Sequence, residues 1–253
     1  MENETFSILD LIIETHIKLE RQGPGSPEMV IKALSFIDDY NKFSRVLDLA
    51  CGTGGQTMVL AQNIPGNILG VDTIPDFINI FNNNAEKLNL QNRVKGIVGS
   101  MENLSFQNEE FDLIWSEGAI DSMGFEKGLN YWNGFLKKNG YVAITCPSWF
   151  TVERPAQIEK FWSDAGSELD TIGDNISIMQ NIGYMSVAAF ALPEKCWTDN
   201  YFIPREAEDK ALLKKNKVNK IVQAYVEGNK YEAELYSKYK QYYGYVFYIG
   251  KKI

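Results

Sequence analysis

The residues best suited to meet a ligand run together from Asp48 to Gly55, as Asp48-Leu49-Ala50-Cys51-Gly52-Thr53-Gly54-Gly55. An acid stands four residues before the first of three glycines. Glycine admits positive φ and lets backbone pass close to a bound molecule. A helix that starts at such a turn offers unpaired N–H groups. Asp72 and Glu117 each close a later apolar run. His16 is the single histidine and the first candidate base, although a lone histidine on a largely apolar segment is more often packed. Cys51 sits inside the turn itself and reads as a small buried filler rather than a nucleophile.

Other chemistry-bearing groups are more scattered. Trp149, Phe150, Trp197, Tyr201 and Phe202 offer either pocket walls or core. Lys210, Lys214, Lys215, Lys217 and Lys220 form a basic run beside Glu206, Glu208 and Asp209, which reads as a solvated helix face. The three cysteines, Cys51, Cys146 and Cys196, lie far apart with no CxxC spacing. That pattern predicts reduced thiols, a cytoplasmic setting and no zinc site.

These groups need elements to position them. Arg45 to Ala50 is an apolar run that empties into the turn, and Gln56 to Asn63 follows as a helix. Further strands are predicted over Asn67–Asp72, Val94–Gly99, Phe111–Glu117 and Tyr141–Cys146, the last stopped by Pro147. Helices are predicted over Pro75–Leu88 and Phe125–Lys138 between them. Near-continuous apolar strands alternating with helices indicate a parallel sheet covered on both faces. Before this core, Phe6–Leu19 and a helix capped by Ser26 and running to about Tyr40 flank the breaker Arg21-Gln22-Gly23-Pro24-Gly25. After it come helices near Ala156–Ala165 and Asp174–Asn181 and a strand over Met185–Leu192. A long helical stretch from Glu206 to Tyr242 and a last strand over Tyr245–Lys251 complete the chain.

With 253 residues, 45% hydrophobic and 13% aromatic, the chain can form a substantial core. The reading is one domain over residues 1–253. Residues 1–43 are a helical extension, 44–192 a ligand-binding core, 193–243 a helical insertion and 244–253 the last strand. A net charge of −8 argues against nucleic acid as a partner. The acidic start Met1-Glu2-Asn3-Glu4-Thr5 lacks the basic lead of a signal peptide, and no apolar run is long enough to span a membrane.

Dinucleotides and S-adenosylmethionine are both held by glycine turns of this kind. The dinucleotide fingerprint needs a third small residue, and Thr57 stands in its place. Val46 to Gly54 resembles the first motif of the class I S-adenosylmethionine-dependent methyltransferases. Phe111-Asp112-Leu113-Ile114-Trp115-Ser116-Glu117 is similar to that family's fourth-strand motif. Phe135-Leu136-Lys137-Lys138-Asn139-Gly140-Tyr141 is similar to its turn into the fifth strand.

The resemblance implies an α/β, Rossmann-like, doubly wound sheet of seven strands, with the last strand antiparallel beside the sixth. It implies S-adenosylmethionine as cofactor, with Ala50, Gly52 and Gly54 passing beneath the methionine portion and Asp48 answering its ammonium. Asp72 would accept from the ribose hydroxyls and Ile74 would lie on the adenine. Ser100 and Met101 stand where the family commonly has an acid for the adenine amine. Glu117 is a candidate for the ammonium or for a substrate proton, and His16 for the same proton. Gln22-Gly23-Pro24-Gly25-Ser26 resembles a segment folded over the methionine end in small-molecule members. Trp197 to Glu206 resembles a tract of an uncharacterised branch.

The expected activity is methyl transfer to a small-molecule acceptor by in-line displacement at the sulfonium. The alternatives are a nicotinamide-dependent oxidoreductase and a non-catalytic S-adenosylmethionine-binding protein. No metal, nucleic acid or membrane is expected, and the oligomeric state, homodimer included, is left open.

Overall fold

The computed structural model describes residues 6–253, so the acidic start at residues 1–5 lies outside the described residues. Seven strands form one sheet: β1 (Arg45–Leu49), β2 (Asn67–Asp72), β3 (Val94–Val98), β4 (Phe111–Glu117), β5 (Leu136–Trp149), β6 (Tyr184–Ala191) and β7 (Tyr243–Lys252). Their spatial order is β3-β2-β1-β4-β5-β7-β6. The pairs β1–β2, β1–β4, β2–β3 and β4–β5 are parallel, whereas β7 runs antiparallel to both β5 and β6. This is the Rossmann-like arrangement expected, with β7 slotted between β5 and β6.

The helices are α1 (Ile8–His16), α2 (Pro27–Leu34), α3 (Gly55–Asn63), α4 (Pro75–Lys87), α5 (Phe125–Asn133), α6 (Ala156–Asp164), α7 (Ile172–Ile182), α8 (Glu194–Trp197), α9 (Ile203–Lys215) and α10 (Lys220–Tyr239). Strand residues alternate between two buried layers. Val46, Leu113, Trp115 and Phe247 face α2, α3 and α4. Leu47, Ile114, Val142 and Tyr248 face α5 and α7 on the other side. Period-2 alternation with both faces buried is why these strands read as continuous apolar runs.

The larger differences in boundary each have a physical reason. The helix expected over Phe125–Lys138 stops at Asn133, because Gly134 and Phe135 turn out of it. The carbonyl of Phe135 accepts the N–H groups of Glu110 and Phe111, so the chain enters β5 at Leu136. Strand β5 continues through Pro147 to Trp149. The Thr145 carbonyl accepts Gly118 N–H and Trp149 N–H donates to Asp170. Pro147 therefore faces an edge where β4 has already ended, and its missing donor costs nothing. The second helix is shorter than expected, ending at Leu34, and Asp39 adopts φ 55° before a 3₁₀ turn at Tyr40–Lys42. The long late helical stretch begins at Glu194 and passes through a π-helical turn over Thr198–Phe202. It breaks between Lys215 and Lys220, where Asn219 caps α10.

One packing contact ties the sheet to the glycine turn. The Phe81 ring on α4 is fully buried. A Cβ added at Gly54, Gly70 or Gly96 would approach that ring to 2.6, 2.6 or 2.7 Å. The ring thus fills a cradle that exists only because three backbones carry no side chain. Phe81→Ala leaves that cradle empty, and a loss of about 3–5 kcal/mol is expected from urea unfolding, with the dependence on urea concentration unchanged.

Candidate functional site

The strand order reverses between β1 and β4, and open α/β sheets bind ligands at the carboxyl edge of such a point. Three acids gather there: Asp48 near the end of β1, Asp72 at the end of β2 and Glu117 at the end of β4. A cavity of about 170 Å³ opens among them, lined by Ala50, Gly52, Asp72 and Glu117 of the sheet edge and by Arg21 and Gln22 of the segment before α2. Small-molecule sites usually span roughly 300–1,000 Å³, so the cavity is small for a ligand of that class.

The turn itself is built from positive φ. Ala50, Gly52 and Gly54 adopt φ 53°, 56° and 88°. A Cβ on Gly52 would stand 2.1 Å from the Gln22 side-chain oxygen, so a side chain there would displace the Gln22 carboxamide and sit on a backbone with positive φ. Gly52 N–H donates to Asp72 Oδ2 at 2.9 Å, and Ile74 N–H donates to Asp72 Oδ1 at 3.0 Å. Asp72 therefore bridges the turn to the loop after β2 while lining the cavity. Burial raises its pKa.

Asp48 is fully buried beneath the turn and does not line the cavity. Thr57 Oγ1 donates to its Oδ2, whereas its Oδ1 has no partner. This explains Thr57: its hydroxyl holds an acid where a dinucleotide turn would need bare space. Burial is the main cause that pushes the Asp48 carboxyl up to about 8, with the nearby Glu117 charge adding to it.

The segment before α2 is a strap across the carboxyl edge. Gln22 Oε1 accepts Thr53 N–H at 2.9 Å. Gln22 Nε2 donates to the carbonyls of His16 and Leu19 and to Thr53 Oγ1. Arg21 Nη1 meets Glu117 Oε2 at 2.8 Å, with side chains only 5% and 6% exposed. Glu117 Oε1 accepts Trp115 Nε1–H. The strap's other side is tied down by Asn200 Nδ2, which donates to Gly25 O at 2.7 Å. The two segments that resembled family tracts, near Gln22–Ser26 and Trp197–Glu206, thus touch each other.

The remaining candidates fall elsewhere, except Cys51, which lines the cavity. Ile74 is the residue before α4 and lies outside the cavity lining, whereas Phe77, one turn on, is inside it. Ser100 Oγ accepts Glu102 N–H, and Met101 O accepts Trp132 Nε1–H; neither lines the cavity. His16 is buried away from it. Its Nδ1 lies 3.0 Å from Ile12 O and its Nε2 3.4 Å from the Tyr201 hydroxyl. Burial and then the Arg205 charge lower its pKa to about 4, so the ring is neutral near neutral pH. Cys51 is buried and its thiol is pushed up, mainly by burial. Trp149, Trp197, Tyr201 and Phe202 pack into a core cluster with α10, and none lines the cavity. Lys210 pairs with Glu206 and Lys215 with Glu14 on the solvated side of α9.

Sequence reasoning passed over Arg21, Gln56 and Phe77. Arg21 sat in a stretch read only as a helix breaker, and its one available signal was the segment's likeness to a methionine-end tract. A larger groove of about 600 Å³ runs between α9 and α10, but it lies away from the sheet edge and its turn.

A family model described as a methyltransferase domain matches residues 41–224. The chain is 35% identical over 104 residues to an erythromycin 3''-O-methyltransferase of Saccharopolyspora erythraea, covering 39% of this chain and 33% of that protein. It is 28% identical over 124 residues to a phosphoethanolamine N-methyltransferase of Plasmodium falciparum, covering 48% of this chain and 45% of that protein. The matches therefore span less than half the length of these two relatives. A structure of an S-adenosylmethionine-dependent methyltransferase from Thiobacillus denitrificans with S-adenosyl-L-homocysteine superposes with a TM-score of 0.83. It is 18% identical and covers 98% of this chain and 100% of that one, a likeness of fold.

The buried Asp48 sets a pH dependence. A carboxyl whose folded pKa lies above its unfolded value of about 3.9 favours folding fully below that value and progressively less as pH rises. For Asp48 the loss extends from about pH 4 to about 8. Asp48→Asn should therefore gain in melting temperature relative to the unaltered protein as pH is raised from 5 to 8. Parallel melting curves across that range would disprove the assignment.

Proposed function

Because the chain belongs to the S-adenosylmethionine-dependent methyltransferase family, we propose that it transfers a methyl group from that cofactor to a small-molecule acceptor. The observation that carries the site assignment is Asp72. It is an acceptor-only carboxylate at the carboxyl end of β2, lining the cavity and bonded to the backbone of the glycine turn.

The residues present fit the cofactor. Each Asp72 oxygen has spent one lone pair on a backbone N–H, which leaves acceptor capacity for a ribose diol. Gly52 and Ala50 expose backbone to the cavity for the methionine portion. The unpartnered Asp48 Oδ1 is an acceptor beneath the same turn. An ammonium approaching through the turn would favour its ionised form. Phe77 offers the cavity an apolar wall beside Asp72. Ile74, Ser100 and Met101 border the loops after β2 and β3, which is the side assigned to the adenine.

When bound, the cofactor supplies an electrophilic methyl on a sulfonium. The protein's task is then mainly alignment, and orientation of that kind contributes on the order of 7–11 kcal/mol to lowering a barrier. Glu117 lines the cavity with one oxygen paired to Arg21 and the other accepting Trp115 Nε1–H, so its part is to fix the cavity wall rather than to take a substrate proton. His16 is spent on joining α1 to Tyr201 and serves packing. The acidic net charge supports a small molecule over a nucleic acid. The names of the two curated relatives, an O-methyltransferase and an N-methyltransferase, support the same acceptor class while leaving the accepting atom open.

Thermal shift tests the cofactor. S-adenosylhomocysteine at 100 times its dissociation constant should stabilise the protein by about 2.7 kcal/mol. A shift with NAD(H) and none with either adenosyl ligand would overturn the reading, and binding without turnover across an acceptor panel would reduce it to a binding protein. Asp72→Ala should weaken S-adenosylhomocysteine by tenfold or more, since each bond to a charged group contributes about 1.5–3 kcal/mol. Cys51→Ala should change it little.

A further inference from the structure

The groove between α9 and α10 has the size and the chemistry of a second ligand site. Its volume of about 600 Å³ falls within the roughly 300–1,000 Å³ of small-molecule sites. Phe202, Ile203, Leu213, Val226 and Ala233 give it apolar walls. Set into those walls is a carboxylate. Asp209 lines the groove, yet it is only 4% exposed. Its two oxygens share one donor, Asn229 Nδ2, at 3.0 and 3.2 Å. An ionised carboxylate can accept about four hydrogen bonds, so most of its capacity is unused. Burial raises its pKa, as it does for a carboxylate that no cation matches.

The cations nearby are committed to other groups. Arg205 Nη1 donates to the Tyr201 hydroxyl at 2.9 Å and to Glu232 Oε2 at 2.6 Å, and Nη2 donates to Asn229 O at 2.9 Å. Its guanidinium also lies over the rings of Tyr201 and Phe202. Lys210 is paired with Glu206 and Lys230 with Glu234. Asp209 and Glu227 line the same groove with no ion pair among the described residues. The groove therefore carries two unmatched negative charges and no unmatched positive one. A bond from Asn229 ties α9 to α10, but an amide at position 209 would serve that tie as well. The charge of Asp209 is what the tie does not need, and a desolvated charge is costly without a partner.

We propose that this groove binds a small organic monocation, an alkyl- or arylalkyl-ammonium whose head meets Asp209 and whose apolar body lies along Leu213, Val226 and Ala233. The site is separate from the cavity at the sheet edge and does not rest on the methyltransferase reading.

An NMR titration of the full chain tests it, with hexylammonium and phenethylammonium as probes. The matching alcohols, 1-hexanol and 2-phenylethanol, have the same shape without the charge. The unaltered protein should bind each amine at least tenfold more tightly than its alcohol, with the shifts centred on α9 and α10. Asp209→Asn keeps a partner for Asn229 and should bind amine and alcohol alike. Glu227→Gln removes a charge that is not buried and should keep most of the preference. Ala233→Trp narrows the groove at constant charge and should weaken amines and alcohols together by at least tenfold. That variant separates a built site from diffuse attraction to a chain of net charge −8. Should Asp209→Asn fail to fold by circular dichroism, the unaltered protein and Ala233→Trp decide the matter between them. Three results each overturn the proposal: no preference for the amines in the unaltered protein, a preference that survives in folded Asp209→Asn, or amine binding unchanged in Ala233→Trp.

Discussion

The carboxamide of Gln22 holds the site in one piece. Its oxygen takes the N–H of Thr53 in the glycine turn, and its nitrogen reaches the carbonyls of His16, which ends α1, and of Leu19 beyond it. The turn leaves room for it because residue 52 has no side chain. An amide suits this place because it alone offers a donor pair and an acceptor on one planar group. With Gln22 fixed, Arg21 is carried to Glu117 and Gly25 to Asn200. The strap is thus a consequence of one side chain satisfying backbone groups from two parts of the fold.

The acids at the sheet edge behave differently because their surroundings differ. Asp72 lines the cavity and takes two backbone donors. Asp48 lies deeper, with one threonine donor and one vacant oxygen, and burial shifts its protonation into the physiological range. Glu117 is buried too, yet it is matched by a cation and an indole. Three carboxyls on one edge are compatible because one is neutralised by a proton, one is held by backbone dipoles and one is paired with arginine.

The aromatic residues show how position overrides composition. Trp197, Tyr236 and Tyr243 stack and cross with centroids 4.5 to 6.2 Å apart, forming a closed cluster between α8, α10 and β7. Composition alone allowed Trp197 to line a pocket. The burial of these rings against α10 gives them to the core instead, and α10 contacts them because β7 returns the chain to the middle of the sheet.

Local pattern was enough to specify the β1 turn, the acids closing β2 and β4 and the layered sheet, because strand alternation, glycine conformation and helix starts are set by neighbours in the chain. Strand β4 was legible to the residue for that reason. The end of the helix at Asn133 and the passage of β5 through Pro147 were not, since each depends on which strand lies alongside. The same holds for the site. Asp72 and Gly52 could be named from spacing. His16 drew attention as the single histidine, yet its ring is committed to Ile12 and Tyr201, a contact 185 residues away. Arg21 was overlooked because nothing within a few residues distinguishes it from a solvated arginine. Only the folding of the strap onto β4, 96 residues away, buries its charge and leaves one edge unmatched. Sequence fixes what is decided by adjacent residues, and the tertiary structure decides which distant groups lose water together.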